Sequence, residues 1–336
     1  MNKNLVLIGA TLALSLILAG CNKSGKLGES STFTTPTGPE ELKLKFPQGE
    51  RIVQVLDMKQ SSEMSILGQT ATMQRETTME QEFGLTVLQA NPDGTHEVEM
   101  DFLSARMKTT QAGRTMLDYD STRKPATDKP NPLDGIFGKI VGSKIRYYLD
   151  ATNGIERIEG IDEMMNRLEA GATPTALAPL KSTFNESYFK QLMDANRYMP
   201  PKAVQPGDTW PVQIVTAVGT MSTFVSDYDF TLKSWEMHGK RNCARLEFSG
   251  PVKSPPNNTN ANPTGVTITI LDGSSSGVTW FDPEIGKAID TTMNQDITMV
   301  IRVPLNLGGN RGGAGQMQNL TNQMTQAVNI KLSSVK

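Results

Sequence analysis

Two residues have the type and position to take part in covalent chemistry, and the first is Cys21. It ends the stretch LAGC, directly after an apolar run at residues 5–18. Lys3 precedes that run. A positive charge, a short apolar run and then small residues are typical of a signal peptide, and the run is too short for a comfortable membrane span. The thiol of Cys21 is therefore the expected place for a lipid anchor.

This arrangement resembles the lipobox of bacterial lipoproteins, in which the cysteine is acylated and the chain is cut just before it. The resemblance implies lipid attachment at Cys21 and association with the membrane through acyl chains, which contribute about 0.8 kcal/mol per buried CH2. Asn22 stands where an aspartate would favour the inner membrane. We therefore expect the outer membrane, with the protein facing the periplasm or the cell surface. The alternative is an ordinary secretory peptide with a chance cysteine.

The second residue is Ser275, the central serine of GSSSG at residues 273–277, which matches the G-x-S-x-G pattern. That pattern positions a nucleophile only on a sharp turn between a strand and a helix. The strand-like run VTWFD follows here, so the sequence predicts a Ser/Gly hairpin loop instead. A serine hydrolase that uses Ser275 is the least favoured function.

The remaining reactive side chains are few and scattered. His96 alternates with apolar residues and is expected to be packed, whereas His238 precedes Gly239 and is expected to be solvated in a turn. Cys243 is predicted to be an inert strand residue. Two distant histidines and no cysteine cluster do not form a metal site.

Acidic, glycine-rich and basic patterns add no site. Asp118 with Asp120, and Asp227 with Asp229, share strand faces and could hold a hard cation, but solvated edge carboxylates are expected. The glycine-rich stretch at 306–315 lacks the Lys-Ser/Thr of a phosphate loop. A net charge of −2 with no basic patch argues against nucleic acid as a partner. The sequence thus predicts no catalytic residue, no cofactor, no metal and no enzymatic activity.

Strict alternation of apolar and polar residues predicts many strands, for example at 97–102, 297–303 and 328–333. Period two with one polar face is typical of antiparallel sheets with one buried face. Helical periodicity occurs at 131–142, 161–171 and 185–199, and each apolar stripe needs a sheet face to cover. The predicted fold is therefore α+β, mainly antiparallel β, with a few covering helices.

Four short patterns recur in the same order and predict an internal duplication into two related curved-sheet halves. In the paired Asp-x-x-x-Gly loops, we expect the aspartate to bind loop amides and the glycine to adopt positive φ. The paired positions are Gly49 with Gly207, Phe83 with Phe230, Phe102 with Phe248, and Asp150–Gly154 with Asp282–Gly286.

These patterns divide the chain into five parts. They are a signal peptide at 1–20, a flexible tether at 21–41, a first β-rich half at 42–160, a helical bridge at 161–202 and a second β-rich half at 203–336. The tether is rich in Ser, Thr, Gly and Pro, and has an expected r.m.s. span of roughly 25 Å. Trp210 opens the second half, where we expect it to seal the junction between bridge and sheet. A ligand-stacking Trp at a cavity mouth is the alternative.

The stretch PPKAVQPGDTWPV at residues 200–212 resembles the V-x-x-G-D-[ST]-W signature of an uncharacterised family of bacterial envelope lipoproteins, known as a domain of unknown function. Positions 204 and 207–210 match that signature, and the preceding proline is one residue further away. Residues 42–50, 129–142 and 160–168 fit the same family in order. The resemblance implies an envelope location and this architecture, and it carries over no catalytic residue.

Two functions remain. One is a non-enzymatic structural or interaction role in the envelope, with an unidentified protein partner. The other is a carrier or binder of a lipid or other apolar ligand in a methionine-lined cavity, because the chain has 18 Met and methionine lines adaptable apolar surfaces. A large enclosed apolar pocket would favour the carrier, and a methionine-rich core without a cavity is the alternative. The methionines at strand-like positions are Met58, Met64, Met73, Met79, Met100 and Met107.

Overall fold

The structure, a computed structural model, describes residues 35–66, 72–123, 138–170, 185–218, 222–255, 266–304 and 317–336. Its strands are β1 (Arg51–Ile66), β2 (Thr72–Ala90), β3 (His96–Gln111), β4 (Arg114–Asp120), β5 (Lys144–Leu149), β6 (Ile155–Glu159), β7 (Thr209–Val218), β8 (Ser222–His238), β9 (Arg241–Lys253), β10 (Thr267–Asp282), β11 (Lys287–Pro304) and β12 (Met317–Val335). Three helical segments lie between β6 and β7: α1 (Ile161–Glu169), α2 (Glu186–Met193) and a 3-10 helix (Ala195–Tyr198).

All strands belong to one open sheet in the order β6-β5-β3-β2-β1-β12-β11-β10-β9-β8-β7, with β4 paired to β3 beside this path. Every pairing is antiparallel. The strands β1–β6 and β7–β12 run as two meanders, which join where β1 pairs with β12. The predicted mainly antiparallel fold with a few helices is therefore confirmed.

One face of this sheet forms the core. We call it the inner face and define it by Met58, Val328, Met293 and Phe248, which are buried and lie in one row across the sheet. Along β11 the buried side chains alternate with more exposed ones, as the period-two pattern predicts. The opposite, outer face carries most of the charged residues and faces solvent.

The two meanders share local features at the positions that the duplication pairs. The Gly49 amide donates to the Val87 carbonyl at 2.9 Å, and the Gly207 amide donates to the Leu232 carbonyl at 2.8 Å. Both glycines have positive φ, 81° and 98°. Residue 83 pairs with 102, and residue 230 with 248, so that each pair joins two phenylalanines.

The paired Asp-x-x-x-Gly loops agree in part. The Asp150 carboxylate accepts from the amide two residues later at 2.7 Å, and that of Asp282 does the same at 2.8 Å. Gly286 has positive φ, 64°, as predicted. In the first loop the prediction was wrong, because Asn153 takes the left-handed conformation in place of Gly154, with φ 63°. The duplication itself stays a prediction.

The helical segments between β6 and β7 connect the two edges of the sheet. Asn185 caps α2 through a bond from the Tyr188 amide at 3.0 Å, and Phe189 is completely buried. The helix contacts both β6 and β7, which are the edge strands at opposite ends of the sheet. The sheet therefore curls far enough for one short helix to reach both edges.

Trp210 packs at this junction. Its side chain is 4% exposed, and its Nε1 donates to the Tyr198 carbonyl at 3.1 Å. Its ring stacks on Phe230 with centroids 5.9 Å apart. The indole thus joins the 3-10 helix to the first two strands of the second meander, as predicted.

The chain before β1 crosses one end of the sheet as a strap, residues 40–50. Glu40 pairs with Val204 through both backbone bonds, at 2.8 and 2.9 Å. The Lys45 amide donates to the Gly286 carbonyl at 3.3 Å. A Cβ on Gly286 would lie 2.6 Å from the Lys45 nitrogen, so that this crossing requires glycine. Ordered structure therefore already includes the last residues of the predicted tether.

Three sequence predictions fall outside the described residues. They concern the signal peptide with Cys21, the glycine-rich stretch at 306–315, and most of the predicted helix at 131–142. Of that helix, residues 138–142 are described; 138–140 are helical and 141–142 form a turn. Within the described part of the chain, no helix is long and apolar enough to cross a membrane.

Candidate functional site

A row of uncharged polar side chains crosses the inner face of the sheet. Gln60 on β1 is the register partner of Gln326 on β12, which is the partner of Gln295 on β11, which in turn is the partner of Ser275 on β10. Directly opposite residues of an antiparallel pair project from the same face. We call these four residues the polar belt, and at about 4.8 Å per strand the belt is roughly 14 Å long.

Three of the four belt residues are buried, Gln60 is half-buried, and most polar atoms of the belt lack a protein partner. Gln295 and Gln326 are 0% exposed and Ser275 is 3% exposed. Neither polar atom of the Gln295 amide has a hydrogen-bond partner, and the same holds for Oε1 of Gln60, Oε1 of Gln326 and Oγ of Ser275. The Nε2 atom of Gln326 lies 2.8 Å from the thioether sulfur of Met58, a weak acceptor. An unpaired buried polar group costs about 1–3 kcal/mol. Each unpaired atom of the belt therefore lowers the stability of the fold.

A tyrosine extends the belt towards β8. Gly250 on β9 is the register partner of Ser275, and a Cβ there would lie 3.0 Å from the Tyr228 Cα. The Tyr228 hydroxyl is buried without an aligned hydrogen bond. Burial raises the pKa of Tyr228, and the nearby hydroxyls of Ser275 and Ser226 lower it in part. Hydroxyls from β8 and β10 thus meet across the glycine.

On the opposite side the belt continues into paired threonines. Thr77 on β2 is the partner of Gln60, and Thr109 on β3 is the partner of Thr77. Their hydroxyls are 3.2 Å apart and buried. These groups satisfy each other, which distinguishes them from the unpaired amides.

Apolar side chains flank the belt along the strands. On one side, Met107, Met79 and Met58 are register neighbours on β3, β2 and β1. On the other side, Met324 pairs with Ile297, and both are buried. Several methionines therefore lie where the sequence places them, on strands with the side chain inward. Met73 differs, because it is 41% exposed.

Two cavities among the described residues differ from the predicted methionine-lined pocket. An apolar gap of about 40 Å³ lies under the strap, where Phe46, Leu85 and Met193 are among its walls. That volume suits one or two water molecules, whereas ligand pockets typically measure about 300–1,000 Å³. A concavity of about 390 Å³ opens on the outer face between Asp229, Glu247 and Asn294. Its walls are mainly polar, and it is a surface groove.

Ser275 does not lie in a hairpin loop, so that prediction was wrong. It lies inside β10, between Gly250 of β9 and Gln295 of β11. Gly277 on the same strand has to be a glycine, because a Cβ at that position would lie 2.3 Å from Cζ of Phe248. A buried strand-interior serine lacks the exposed turn that a nucleophile elbow requires.

His238 was expected to be solvated in a turn, and this expectation was wrong. Its ring stacks on Trp280 with centroids 4.3 Å apart, and its Nε2 lies 3.2 Å from an Asp290 oxygen. The Trp280 Nε1 donates to a Glu236 oxygen at 2.6 Å. Trp280 lies five residues beyond Ser275 on the same strand, about 16 Å away. The histidine therefore stabilises the outer face near the hairpin turn.

His96 is packed, as predicted, in contact with the strap. Its ring lies 5.3 Å from that of Phe46. Burial lowers the pKa of His96, and the ammonium of Lys287 lowers it further. Lys287 itself pairs with Glu50 at 3.0 Å, and burial lowers the pKa of Lys287 despite that carboxylate. These groups hold the strap against both meanders.

The acidic pairs have cationic or amide partners. Asp120 pairs with Arg123 at 3.1 Å. Asp227 accepts from Gln213 at 2.8 Å and pairs with Lys253 at 3.6 Å. Among the described residues, no three His, Cys, Asp or Glu side chains come together as a metal site requires.

Cys243 is completely buried, and burial raises its pKa to about 12. The reactive form of cysteine is the thiolate, so a raised pKa keeps this thiol inert at neutral pH. The expectation of an inert strand residue agrees with this environment.

The sequence reasoning missed the belt. A signal for it existed, because Gln295 and Gln326 occupy apolar positions of otherwise strict period-two runs. A polar residue at such a position is predicted to face inward. The alignment of four such residues depends on register, which the sequence pattern does not give.

Comparisons with known proteins give one family match. A model of the family of unknown function DUF6263 matches residues 93–286, which is more than half of the chain. A comparison with curated proteins finds no match.

Solved structures give distant likenesses. A lipovitellin structure, described for its lipid–protein interactions, has 11% identity and a TM-score of 0.42 over 87% of this chain, and the match spans 26% of lipovitellin. A putative exported protein with a YmcC-like fold from Bacteroides fragilis NCTC 9343 has 10% identity and a TM-score of 0.30, with 88% and 99% of the two chains covered. An outer membrane channel from Pseudomonas putida F1 has 9% identity and a TM-score of 0.25, with 88% and 100% covered. With TM-scores below 0.5, none of these likenesses bears on function.

Proposed function

The chain belongs to the DUF6263 family of unknown function, and we propose that it is a non-enzymatic lipoprotein of the bacterial envelope with a structural or interaction role. In this proposal Cys21 carries the lipid, the outer membrane holds the anchor, and residues 22–39 are the tether. The observation that supports it is the LAGC stretch that follows the apolar run at residues 5–18, and the strap sets the end of the tether, since Glu40 is fixed to Val204. A tether of this length spans roughly 25 Å on average, so the folded unit stays near the membrane.

The geometry also indicates which end of the folded unit points away from the proposed membrane anchor. The strap crosses the end of the sheet where the turn before β11 lies. The longest strands have 19 residues, so the opposite end lies about 60 Å away. Among the described residues, five of the seven exposed large apolar side chains lie towards that far end: Met73, Met116, Val215, Leu271 and Met317. Apolar side chains collected at one end of a protein favour contact with a partner more than scattered ones do.

The anchor is tested by replacing Cys21 with serine and fractionating the envelope. No acyl chain can be attached to the serine, so we expect the chain to remain uncut or to be released from the membrane fraction. Cys243→Ser is the matched control, because it removes the other cysteine and leaves the anchor intact. A Cys21→Ser protein that stays mature and membrane-bound contradicts the proposal. Asn22→Asp should shift the protein towards the inner membrane.

The absence of enzymatic activity is part of the same proposal. Its support is the position of Ser275 in the interior of β10, where it lacks the turn geometry of a nucleophile elbow. Ser275→Ala should therefore leave any esterase activity of the purified chain towards 4-nitrophenyl acetate unchanged. A loss of measurable activity on this substitution would revive the serine hydrolase.

A second candidate function is the binding of a lipid or other apolar ligand. The specific observation in its favour is the polar belt between rows of methionine and other apolar side chains on the inner face. The apolar gap of about 40 Å³ is too small for an acyl chain, so this function requires the inner face to open.

A further inference from the structure

We propose that the polar belt of Gln60, Gln326, Gln295 and Ser275 is a binding site for an uncharged amphiphile, a lipid whose ester, amide or hydroxyl group lies between apolar segments. The proposal rests on the second candidate function and specifies its ligand class and its location. It assigns the hydrogen bonds to side chains on four neighbouring strands.

The unpaired atoms are the first reason to expect a ligand there. Buried amides and hydroxyls in folded proteins are normally hydrogen-bonded. The Gln295 amide is completely buried on the inner face, and neither its nitrogen nor its oxygen has a protein partner. Gln326 and Gln60 of the same row also present an unpaired oxygen each. Several such groups in one row are a built arrangement, since each comes from a different strand.

The chemistry of the belt selects an uncharged group. Amides supply both donors and acceptors, and hydroxyls supply both as well. The belt has no charged side chain, and Arg75 of the adjacent row, on β2, already has an interaction within the molecule. An ionised carboxylate or phosphate would find no cation within the belt itself, and burying a charge without a close counter-charge is costly. Ester, amide and hydroxyl groups match the belt without that cost.

The flanking rows select an amphiphile. Met58 and Met293 lie on one side of the belt, and Met324 and Ile297 lie on the other, all buried. A small polar molecule such as glycerol would satisfy the amides but leave these side chains without a matching surface. A ligand with apolar chain on both sides of its polar group fits the full width.

The fold provides a way to admit such a ligand. An open sheet can widen when its edge strands move apart, and no ladder hydrogen bond has to break, unlike in a closed barrel. Here the edges are β6 and β7, and α2 contacts both. Separation of this helix from one edge would expose the inner face.

The test uses the full chain in phosphatidylcholine nanodiscs with a photoreactive monoolein that carries a diazirine in its acyl chain. After irradiation, labelled peptides are mapped by mass spectrometry. We expect saturable labelling of peptides from β11 and β12, with competition by unlabelled monoolein. Oleate at pH 8 should compete at least about ten-fold less well, because its carboxylate finds no cation on the belt.

Variants connect the label to the belt. The double variant Gln295→Leu, Gln326→Leu should lower labelling at least about ten-fold, the loss expected for hydrogen bonds to a bound ligand. Leucine is apolar and of similar size, so the urea midpoint without ligand should not fall. Ser275→Ala removes one hydroxyl oxygen of the belt. If the double variant does not fold, this single variant replaces it and should also lower the labelling. Asn294→Leu is the matched control, because Asn294 neighbours Gln295 but lies exposed on the outer face.

Three results would overturn the proposal. They are a lack of saturable labelling, equal labelling of wild type and belt variants, and competition by oleate as strong as that by monoolein. None of them affects the proposed anchor, which is measured by fractionation of the Cys21→Ser protein. A released Cys21→Ser protein together with an unlabelled belt would retain the lipoprotein and reject its ligand.

Discussion

Replacement of Trp210 by alanine should destabilise the fold by about 3–5 kcal/mol, the range for removing a buried Phe or Trp side chain. The indole is 4% exposed and stacks on Phe230. A buried indole covers about 150–250 Å², and at about 25 cal/mol per Å² even the lower value corresponds to roughly 4 kcal/mol. The Nε1 bond to the Tyr198 carbonyl is lost as well.

The assay is urea denaturation of a chain that begins at residue 35. Unfolding is monitored by circular dichroism of the backbone, because that signal does not require the tryptophan that is replaced. Trp210→Phe keeps the ring stack but loses the hydrogen bond, so it should cost about 0.5–1.5 kcal/mol beyond the change in size. Val215→Ala is the control, because Val215 lies on the same strand and is 49% exposed. Its effect should stay within about 0.5 kcal/mol.

A midpoint of Trp210→Ala within error of the wild type would refute the packing role. The alternative of a ligand-stacking tryptophan would then gain weight. An unchanged slope of free energy against urea is also expected, because the variant should lose stability without a change in the exposed surface.

Three further substitutions test a buried ion pair, a partly buried histidine and the strap. Arg241→Met should cost about 3–5 kcal/mol in urea denaturation, because it leaves the Asp282 carboxylate buried and unpaired. His96→Asn should reduce the loss of stability between pH 7 and pH 5: burial lowers the pKa of His96 in the fold, so its contribution is present above about 6.5 and is lost as the pH falls. Gly286→Ala should place a Cβ 2.6 Å from the Lys45 nitrogen and loosen the strap, which faster proteolysis between residues 40 and 50 would reveal. Unchanged midpoints, an unchanged pH dependence or unchanged cleavage would contradict these expectations.

The sequence is informative about strands because their signal is local. Alternation along 297–303 predicts both the strand and its buried face, and the structure agrees. The cap at Asn185 and the turn at Gly207 also have local causes, a side chain that accepts from a helix amide and a residue that tolerates positive φ.

The candidate site depended on information that is not local. The belt requires Gln295 and Gln326 to be register partners, and bulges, such as that between Ile270 and Asp272, shift register within the sheet. Serine and glycine around Ser275 favour a turn by propensity, whereas burial against neighbouring strands keeps them extended. Tertiary packing therefore overrode the local preference at that position.

Lipid attachment at Cys21 is the central claim, and intact mass spectrometry of the protein extracted from membranes tests it most directly. Lipidation predicts a mature chain that begins at residue 21, with the added mass of acyl groups on its N-terminal peptide. An unmodified Cys21 thiol in the membrane-bound protein, or a chain that begins at another residue, would contradict it.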